Sequence, residues 1–329
     1  GGVSETDDTL LGGYDAVMGP NGQSHHVAPD FGQAYRMVLL HHEMLADTSR
    51  PRYTCDPWDR DVCSSREIAS ILDHRHNPAR KTPFAIRPVM EALKDTDSGL
   101  LERWSDASGA DGAVVWDTRV GGRAVTLIGI ESHHRRDADG PGENQTWWAA
   151  GTLYPAAAKK IARALNHASG RRPVAVLANL AGFDGSAWSL RNHQLEFGAE
   201  IARAVVNFDG PIVVFVIGRF HGGAYVVFNK TLNDGVRMLA VEGTKVSVIG
   251  GSAAAEVVLT KKVQARAAEL EGDAHAAAAE VASEFDAVHS VERAHAVGSV
   301  DAVIAAGQLR PAMIGELNAA CDARELRSG

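Results

Sequence analysis

Two glycine-bearing turns are the places in this sequence where residue type and spacing could do chemistry: Asn179-Leu180-Ala181-Gly182-Phe183-Asp184-Gly185 and His221-Gly222-Gly223-Ala224-Tyr225. No Ser/His/Asp set accompanies them. What a glycine turn offers is backbone: without a Cβ the chain can come close to a ligand, and unpaired N–H groups can hold an oxyanion. A glycine pair is also ordinary turn chemistry, so the element that each turn ends decides its meaning. Val174–Ala178 precedes the first turn and Ile212–Ile217 the second. Both runs are short, rich in Val and Ile and bounded by turn residues, which predicts buried strands of a sheet covered on both faces. The carboxyl ends of such strands are where open α/β sheets take their ligands.

Helices must cover those faces, and the periodicity supplies them. Ser189–Val206 reads as a helix with Leu190, Phe197, Ile201 and Val205 inward, and Asn207–Pro211 turns the chain into the second strand. Upstream, Gly151-Thr152-Leu153-Tyr154-Pro155 leads into a helix with Ala158, Ile161, Ala162 and Leu165 on one stripe and Gly170 at its end. Val114–Trp116, Arg119–Val120 and Ala124–Ile130 read as strands, with Gly121-Gly122 as the hairpin turn. The loop Glu131–Asn144 carries His133-His134-Arg135-Arg136, read as a solvated face. Downstream, Val236–Val241 and Val246–Ile249 read as strands, and Gly250-Gly251-Ser252 caps an alanine-rich helix from Ala253 to Glu271. Ala276–Phe285 and Ser290–Val297 are further helices, Gly298–Ile304 a short strand and Leu309–Leu317 the closing helix. This alternation predicts an α/β fold. Nearer the start, Asp30 is expected to cap a helix in which Tyr35, Val38, Leu39 and His42 share a face. Arg50–Arg80, interrupted by Pro51, Pro57 and Pro78, reads as a connector with a short helix near Ser65–Asp73. Pro83–Arg87 leads into a helix with Ile86, Val89, Met90 and Leu93 inward.

Composition narrows the class. With 329 residues, 45% of them hydrophobic, the chain can bury one large core or two moderate ones. A net charge of −8 with acids and bases intermixed leaves no basic footprint for nucleic acid or anionic lipid. No apolar run reaches the length of a membrane span, and the N-terminus lacks the regions of a signal peptide, so a cytoplasmic setting is expected. The three cysteines, Cys55, Cys63 and Cys321, fit neither a disulfide framework nor a common zinc spacing and are read as reduced thiols. His25-His26 and His41-His42 are sequence neighbours with no carboxylate spaced to complete a site, so no metal is expected. The chain has no initiator Met, and its polar, acidic first residues read as a frayed end at a boundary made by processing, cloning or gene fragmentation.

Taken together, NLAGFDGS, LEFGAEIARAVVNFDGPIVV and FHGGAYVVFNKTLN resemble the C-terminal half of the carboxyltransferases of biotin-dependent acyl-CoA carboxylases. The likeness is greatest to fused, single-chain enzymes that act on acetyl-CoA or longer acyl-CoAs. The stretch MGPNGQSHH resembles the close of the N-terminal half of the same enzymes. The resemblance implies an α/β, crotonase-like ββα superhelix with a short remnant of a preceding domain of the same fold. It divides the chain into residues 1–50 as that end-piece, 51–80 as interdomain connector and 81–329 as the biotin-side domain. It also implies carboxyl transfer from carboxybiotin, presented on a carrier domain, to the α-carbon of an acyl-CoA. In that family one oxyanion hole stabilises the ureido oxygen of biotin as CO2 leaves and the ring nitrogen takes the α-proton. A second stabilises the thioester enolate.

Carried over by position, the biotin-side oxyanion amides fall on Gly223 and Ala224, and Gly182, Phe183, Gly185, Gly222 and Tyr225 line the carboxybiotin pocket. Biotin is the implied cofactor and acyl-CoA the substrate, with no bound metal. A biotin carboxyl carrier domain and a biotin carboxylase are the implied partners. Each active site lies across a dimer interface in this family, and Leu180, Phe183 and Trp188 are expected to put apolar surface near the cleft, so a homodimer or larger oligomer is predicted. Two positions depart from relatives: Ala181 stands where eukaryotic-type enzymes have an arginine, and Val226 where decarboxylating and propionyl-type enzymes have an acid. Acyl-chain preference is therefore open. Two other readings are carried: a crotonase-like hydratase or decarboxylase with Glu196 or Glu242 as acid/base, and a catalytically silent docking or assembly subunit.

Overall fold

The architecture follows from the alternation of side chains along two central strands. In the computed structural model, which describes residues 5–45, 66–96, 98–136 and 147–328, Val174, Val176, Ala178 and Leu180 point into one core, and Ala175 and Leu177 into another. Ile212, Val214, Val216 and Phe220 repeat the first pattern, and Val213, Phe215 and Ile217 the second. Period-two alternation of apolar residues on both faces demands a cover on each side of the sheet.

The strands are β1 (Leu101–Glu102), β2 (Ala113–Val120), β3 (Arg123–Ile130), β4 (Thr152–Leu153), β5 (Val174–Leu180), β6 (Gly182–Phe183), β7 (Ile212–Phe220), β8 (Val236–Val241), β9 (Lys245–Val246) and β10 (Ala302–Ile304). The main sheet runs β1-β2-β3-β5-β7-β8-β10, with β9 also on β7, while β4 and β6 form a separate two-stranded sheet. The β1-β2 and β2-β3 pairs are antiparallel and every later pair in the main sheet is parallel.

The helices are α1 (Asp8–Gly12), α2 (Phe31–Leu45), α3 (Arg66–Leu72), α4 (Ile86–Leu93), α5 (Pro155–Ala168), α6 (Ala187–Arg191), α7 (Gln194–Val206), α8 (Gly223–Val227), α9 (Gly251–Ala253), α10 (Thr260–Glu269), α11 (Ala274–Val288), α12 (Val291–Ala296) and α13 (Leu309–Ser328). Helices α5 and α7 cover one face of the sheet; α4 and the start of α13 cover the other. Asp30 caps α2 by accepting from the Gln33 amide at 2.8 Å, and all four predicted inward residues of α4 are buried. Pro155 opens α5, and Gly170 ends it with a φ of +72°. None of the described helices is long and apolar enough to cross a membrane.

Several elements differ from expectation, each for a physical reason. Val114–Trp116 and Arg119–Val120 are parts of one strand, β2, because Asp117 and Thr118 are buried in it and satisfied there. The helix expected over 189–206 is two, broken at His193, whose φ of +67° is left-handed; Leu190 consequently faces solvent at 50% exposure. The alanine-rich helix is likewise broken, by a wide turn over Ala254–Val258 and by Leu259. Along α2, Tyr35, Val38 and Leu39 share a face as expected, and that face is exposed. Cys55, Cys63 and most of the connector lie outside the described residues; Cys321 is buried and in no disulfide.

Candidate functional site at the glycine corner

The two glycine turns meet. Strands β5 and β7 run parallel from Val174↔Ile212 to Ala178↔Val216, after which the register shifts so that Leu180 pairs with Phe220. Asn179 sits in that irregularity, 3% exposed, with its Oδ1 accepting from the Arg219 amide at 2.8 Å and its amide group donating to Ser132 Oγ at 3.1 Å. A β-bulge of this kind turns a strand end away from its ladder. Asn179 thus pins both strands just before they diverge into their turns. An asparagine inside an apolar run was the one sequence signal for it, and the reading of the turns passed over it.

Beyond the bulge the backbones close on each other. The His221 amide donates to Leu180 O at 3.0 Å, and the Gly222 amide to Val248 O at 2.8 Å. A Cβ built on Gly222 would stand 3.3 Å from Gly182 Cα. Gly222 has a φ of +62° and Gly182 one of +144°, backbone that L side chains rarely adopt. The Ala181 amide donates to Gly151 O at 2.7 Å and that of Asp184 to Leu153 O at 2.9 Å, tying the first turn to the small β4-β6 sheet.

Phe183 is the wall of this corner. A Cβ on Gly198 would lie 2.7 Å from its ring, and a Cβ on Gly223 would overlap the same ring edge. Two glycines from different helices therefore make room for one aromatic side chain. Gly223 opens α8, where a first-turn amide has no partner within its own helix, and no acceptor meets it among the described residues. Ala224 follows in the same first turn.

The remaining expected residues are placed differently. Gly185 is exposed, with no heavy atom within 4 Å of where its Cβ would be; its neighbours serve α6, whose first turn is capped by Ser186 Oγ, itself donating to Asp184. The Tyr225 hydroxyl shares a hydrogen bond with Ser299 Oγ at 3.1 Å, and its side chain bounds a cavity of about 280 Å³ in which none of the other expected pocket residues takes part. Leu180 is fully buried and gives the cleft no apolar surface, whereas Phe183 and Trp188 are half-buried. Glu196 is in an exposed ion pair with His193 at 3.0 Å, and Glu242 in one with His74 at 3.5 Å.

One titratable side chain borders the second turn. His221 is 5% exposed, its Nδ1 lies 2.9 Å from Ser247 Oγ, and that hydroxyl donates to Ile249 O at 2.6 Å. Burial pushes its pKa down, outweighing the hydrogen bond to Ser247 O, so the ring is neutral and donates from Nδ1. Among the described residues no group of three or more His, Cys, Asp or Glu is placed to hold a metal ion. The corner can therefore offer an incoming ligand backbone donors and one aromatic wall, beside a neutral His221.

The chain is similar to known proteins along most of its length. Over 251 residues it is 29% identical to the mitochondrial acetyl-CoA carboxylase of Saccharomyces cerevisiae, covering 69% of this chain and 10% of that protein. It is 27% identical over 271 residues to an acetyl-CoA carboxylase of Cryptosporiopsis sp., covering 74% of this chain and 11% of that protein. The fold matches the transcarboxylase 12S crystal structure, a hexamer with hydrolyzed methylmalonyl-coenzyme A bound, with a TM-score of 0.76 and 21% identity over 96% of this chain and 56% of that one. The chain thus spans about a tenth of the carboxylases and just over half of the transcarboxylase chain. The transcarboxylase match shows a shared α/β fold, and the carboxyl transferase domain model matches residues 1–328; the chain belongs to the carboxyl transferase domain family.

Proposed function

We propose that this chain is the biotin-side part of an acyl-CoA carboxyltransferase, transferring a carboxyl group to the α-carbon of acetyl-CoA or a longer acyl-CoA to give a malonyl-CoA-type product. The observation that carries the reading is the convergence of the two turns, which presents the unpartnered Gly223 amide beside Phe183 in a corner that side chains would fill. The ureido ring of biotin fits such a corner: it is flat, neutral and carries one strong acceptor, matching an aromatic wall and two backbone donors. When bound, carboxybiotin supplies the carboxyl group to be transferred. The amides of Gly223 and Ala224 donate to the ureido oxygen as charge develops there, and an amide held in place by the helix needs no reorganisation at that moment. Phe183 orients the ring, Gly182 and Gly222 keep the backbone low beneath it, and neutral His221 adds no competing charge.

Family membership supports the reaction class, and the 10% share of the carboxylase relatives makes a carrier domain, a biotin carboxylase and a CoA-binding half parts of the proposal. So are assembly as a homodimer or larger oligomer, a place in fatty acid synthesis and a cytoplasmic setting. The corner fits this reading better than a hydratase, because Glu196 and Glu242 are held in exposed pairs rather than at the turns. The test is biotin-dependent decarboxylation of malonyl-CoA by this chain joined with a CoA-binding carboxyltransferase half. Turnover that is lost with Gly223→Val supports the proposal; undiminished turnover in that variant sinks the biotin-site assignment.

A further inference from the structure

A cavity of about 430 Å³ lies between the first turns of α5, the corner where α6 meets α7, and the segment Pro20–Gly22. None of the glycine-corner residues lines it, and carboxyl transfer as proposed above makes no use of it. Three cations of α5, Lys159, Lys160 and Arg163, face it, and among the described residues no acidic side chain does. Their spacing puts Arg163 one turn beyond both lysines on the same helix face. Pro155 and Ala156, at the amino end of the helix, also line the cavity and add the positive end of the helix dipole.

Among the described residues Lys160 is buried without a direct partner, with Glu102 and Asp111 acting on it only through space. It is 4% exposed, and no hydrogen bond or ion pair engages its ammonium among the described residues. The nearest acids are committed elsewhere: Glu102 is in a two-pronged pair with Arg87 at 2.6 Å and 2.6 Å, and Asp111 is 3.7 Å from Arg135. Burial accordingly pulls the amine down to about 8. A buried cation without a partner is costly unless an anion completes it. The other two cations are held over aromatic rings, Lys159 Nζ 5.5 Å from the centre of Phe197 and Arg163 Cζ 4.8 Å from that of Trp104. Arg163 is further fixed by donating to Gly22 O at 2.6 Å.

Trp188 and Phe197, both half-buried, line the same cavity, Phe197 beneath Lys159 and Trp188 supported edge-on by Trp148 at 6.0 Å between ring centres. Three cations and a helix amino end call for more than one negative charge, which a phosphate carries at neutral pH and a single carboxylate does not. Flat apolar walls next to that charge take a ring. We propose that this cavity binds a nucleoside phosphate, its phosphate on Lys160, Lys159 and Arg163 and its base against Trp188 and Phe197. The inference does not depend on the biotin-site assignment, and ADP binding should survive Gly223→Val.

The test is titration of the 329-residue chain with ADP, followed by calorimetry and by tryptophan emission. ADP should bind at least tenfold more tightly than either adenosine or inorganic phosphate, and Lys160→Met should weaken ADP by tenfold or more. At pH 8 binding should take up a proton, visible as a dependence of the heat on buffer, and Lys160→Met should abolish that uptake. Lys159→Gln and Arg163→Gln, nearer the rim, should each weaken ADP at least threefold, so a poorly folded Lys160 variant does not end the test. Coenzyme A binding more tightly than ADP assigns the nucleotide to a thioester substrate; the reverse order assigns it to a free nucleotide. Inorganic phosphate binding as well as ADP, no response to either nucleotide, or unchanged affinity in all three variants overturns the proposal.

Discussion

The glycine corner and the buried ion cluster under β2 solve opposite problems within one sheet. At the corner, side chains are removed so that backbone donors stay open. At the cluster, Asp117 is fully buried and surrounded: Arg103 Nε donates to it at 2.6 Å, Thr126 Oγ1 at 2.7 Å, and Arg172 Nη1 lies 3.1 Å away. Burial acts to raise the pKa of this carboxyl, but Arg172 and Arg103 outweigh it and hold the group below the usual carboxylate range. The cluster pairs its charges, although the Arg172 guanidinium meets Asp117 as an ion pair without a hydrogen bond, whereas the corner leaves backbone donors open to a ligand. The Lys160 cavity follows the corner, with a side chain in place of an amide.

Removing the charge at the cluster should have the largest effect. Asp117→Asn strands two buried arginines, and breaking a buried pair in this way costs about 3–5 kcal/mol. The sign with pH follows from the depressed pKa. The contribution is fully present above the unfolded value of 3.8 and is lost as the pH falls through the lower folded value. Thermal melts carried from pH 5 down to about 2 should show a wild-type decline below pH 3.8 that the variant lacks; parallel curves would mean that the cluster is not an electrostatic anchor.

At the corner the expected loss is activity, with the fold kept. Gly223→Val places a side chain on the Phe183 ring and should cut carboxyl transfer a hundredfold or more, as loss of an oxyanion donor does. Gly223→Ala paired with Phe183→Ala separates crowding from donor geometry. If the double variant regains transfer over Gly223→Ala alone, Phe183 is the wall that the corner requires. If it does not, the amides themselves have moved.

How much of this contrast was legible in the sequence depends on how far apart its parts lie. The strands and their glycine turns were legible, because Val174–Ala178 and Ile212–Ile217 are local apolar runs with local stop signals. Asp117 was not. A charged residue argues locally against strand, and its partners, Arg103 and Arg172, come from distant segments. Lys160 was hidden for the same reason: two lysines in a helical run read as a solvated edge, and only the fold buries one of them beside a cavity that Trp104 and Trp148 also line. The break at His193 carried no glycine or proline to announce it. Tyr225 adjoins the turn in sequence but is committed to Ser299 in space.

Lys160 gives a smaller effect of opposite sign. Its folded pKa of about 8 against 10.5 unfolded means that the unfolded chain binds more protons between those values, so stability rises with pH across that window. Below pH 8 the buried cation is a cost, and Lys160→Met should stabilise the empty protein at pH 7 by on the order of 2 kcal/mol. The gain should shrink toward pH 10.5, and added ADP should reverse it. A variant less stable than wild type at pH 7 would show that Lys160 already has its counter-charge.

The smallest effect comes from the same kind of substitution made where nothing depends on the missing Cβ. Gly235, in the surface turn before β8, is a natural first choice as a match for Gly223, but a Cβ there would lie 2.6 Å from Gly210 O, so Gly235→Ala strains backbone against backbone. Gly315 is better suited. It lies within α13, no heavy atom approaches within 4 Å of its Cβ position, and its φ is not positive. Replacing glycine by alanine inside a helix removes backbone freedom from the unfolded chain, worth about 0.5–1 kcal/mol. Gly315→Ala should therefore raise the melting temperature by a few degrees at most, with carboxyl transfer and ADP binding unchanged. Set beside Gly223→Ala, it separates what one added methyl does to a helix from what it does to the corner. A Gly315→Ala variant that lost transfer would show that the assay is reading overall stability and would remove the ground for assigning the Gly223 effect to the site.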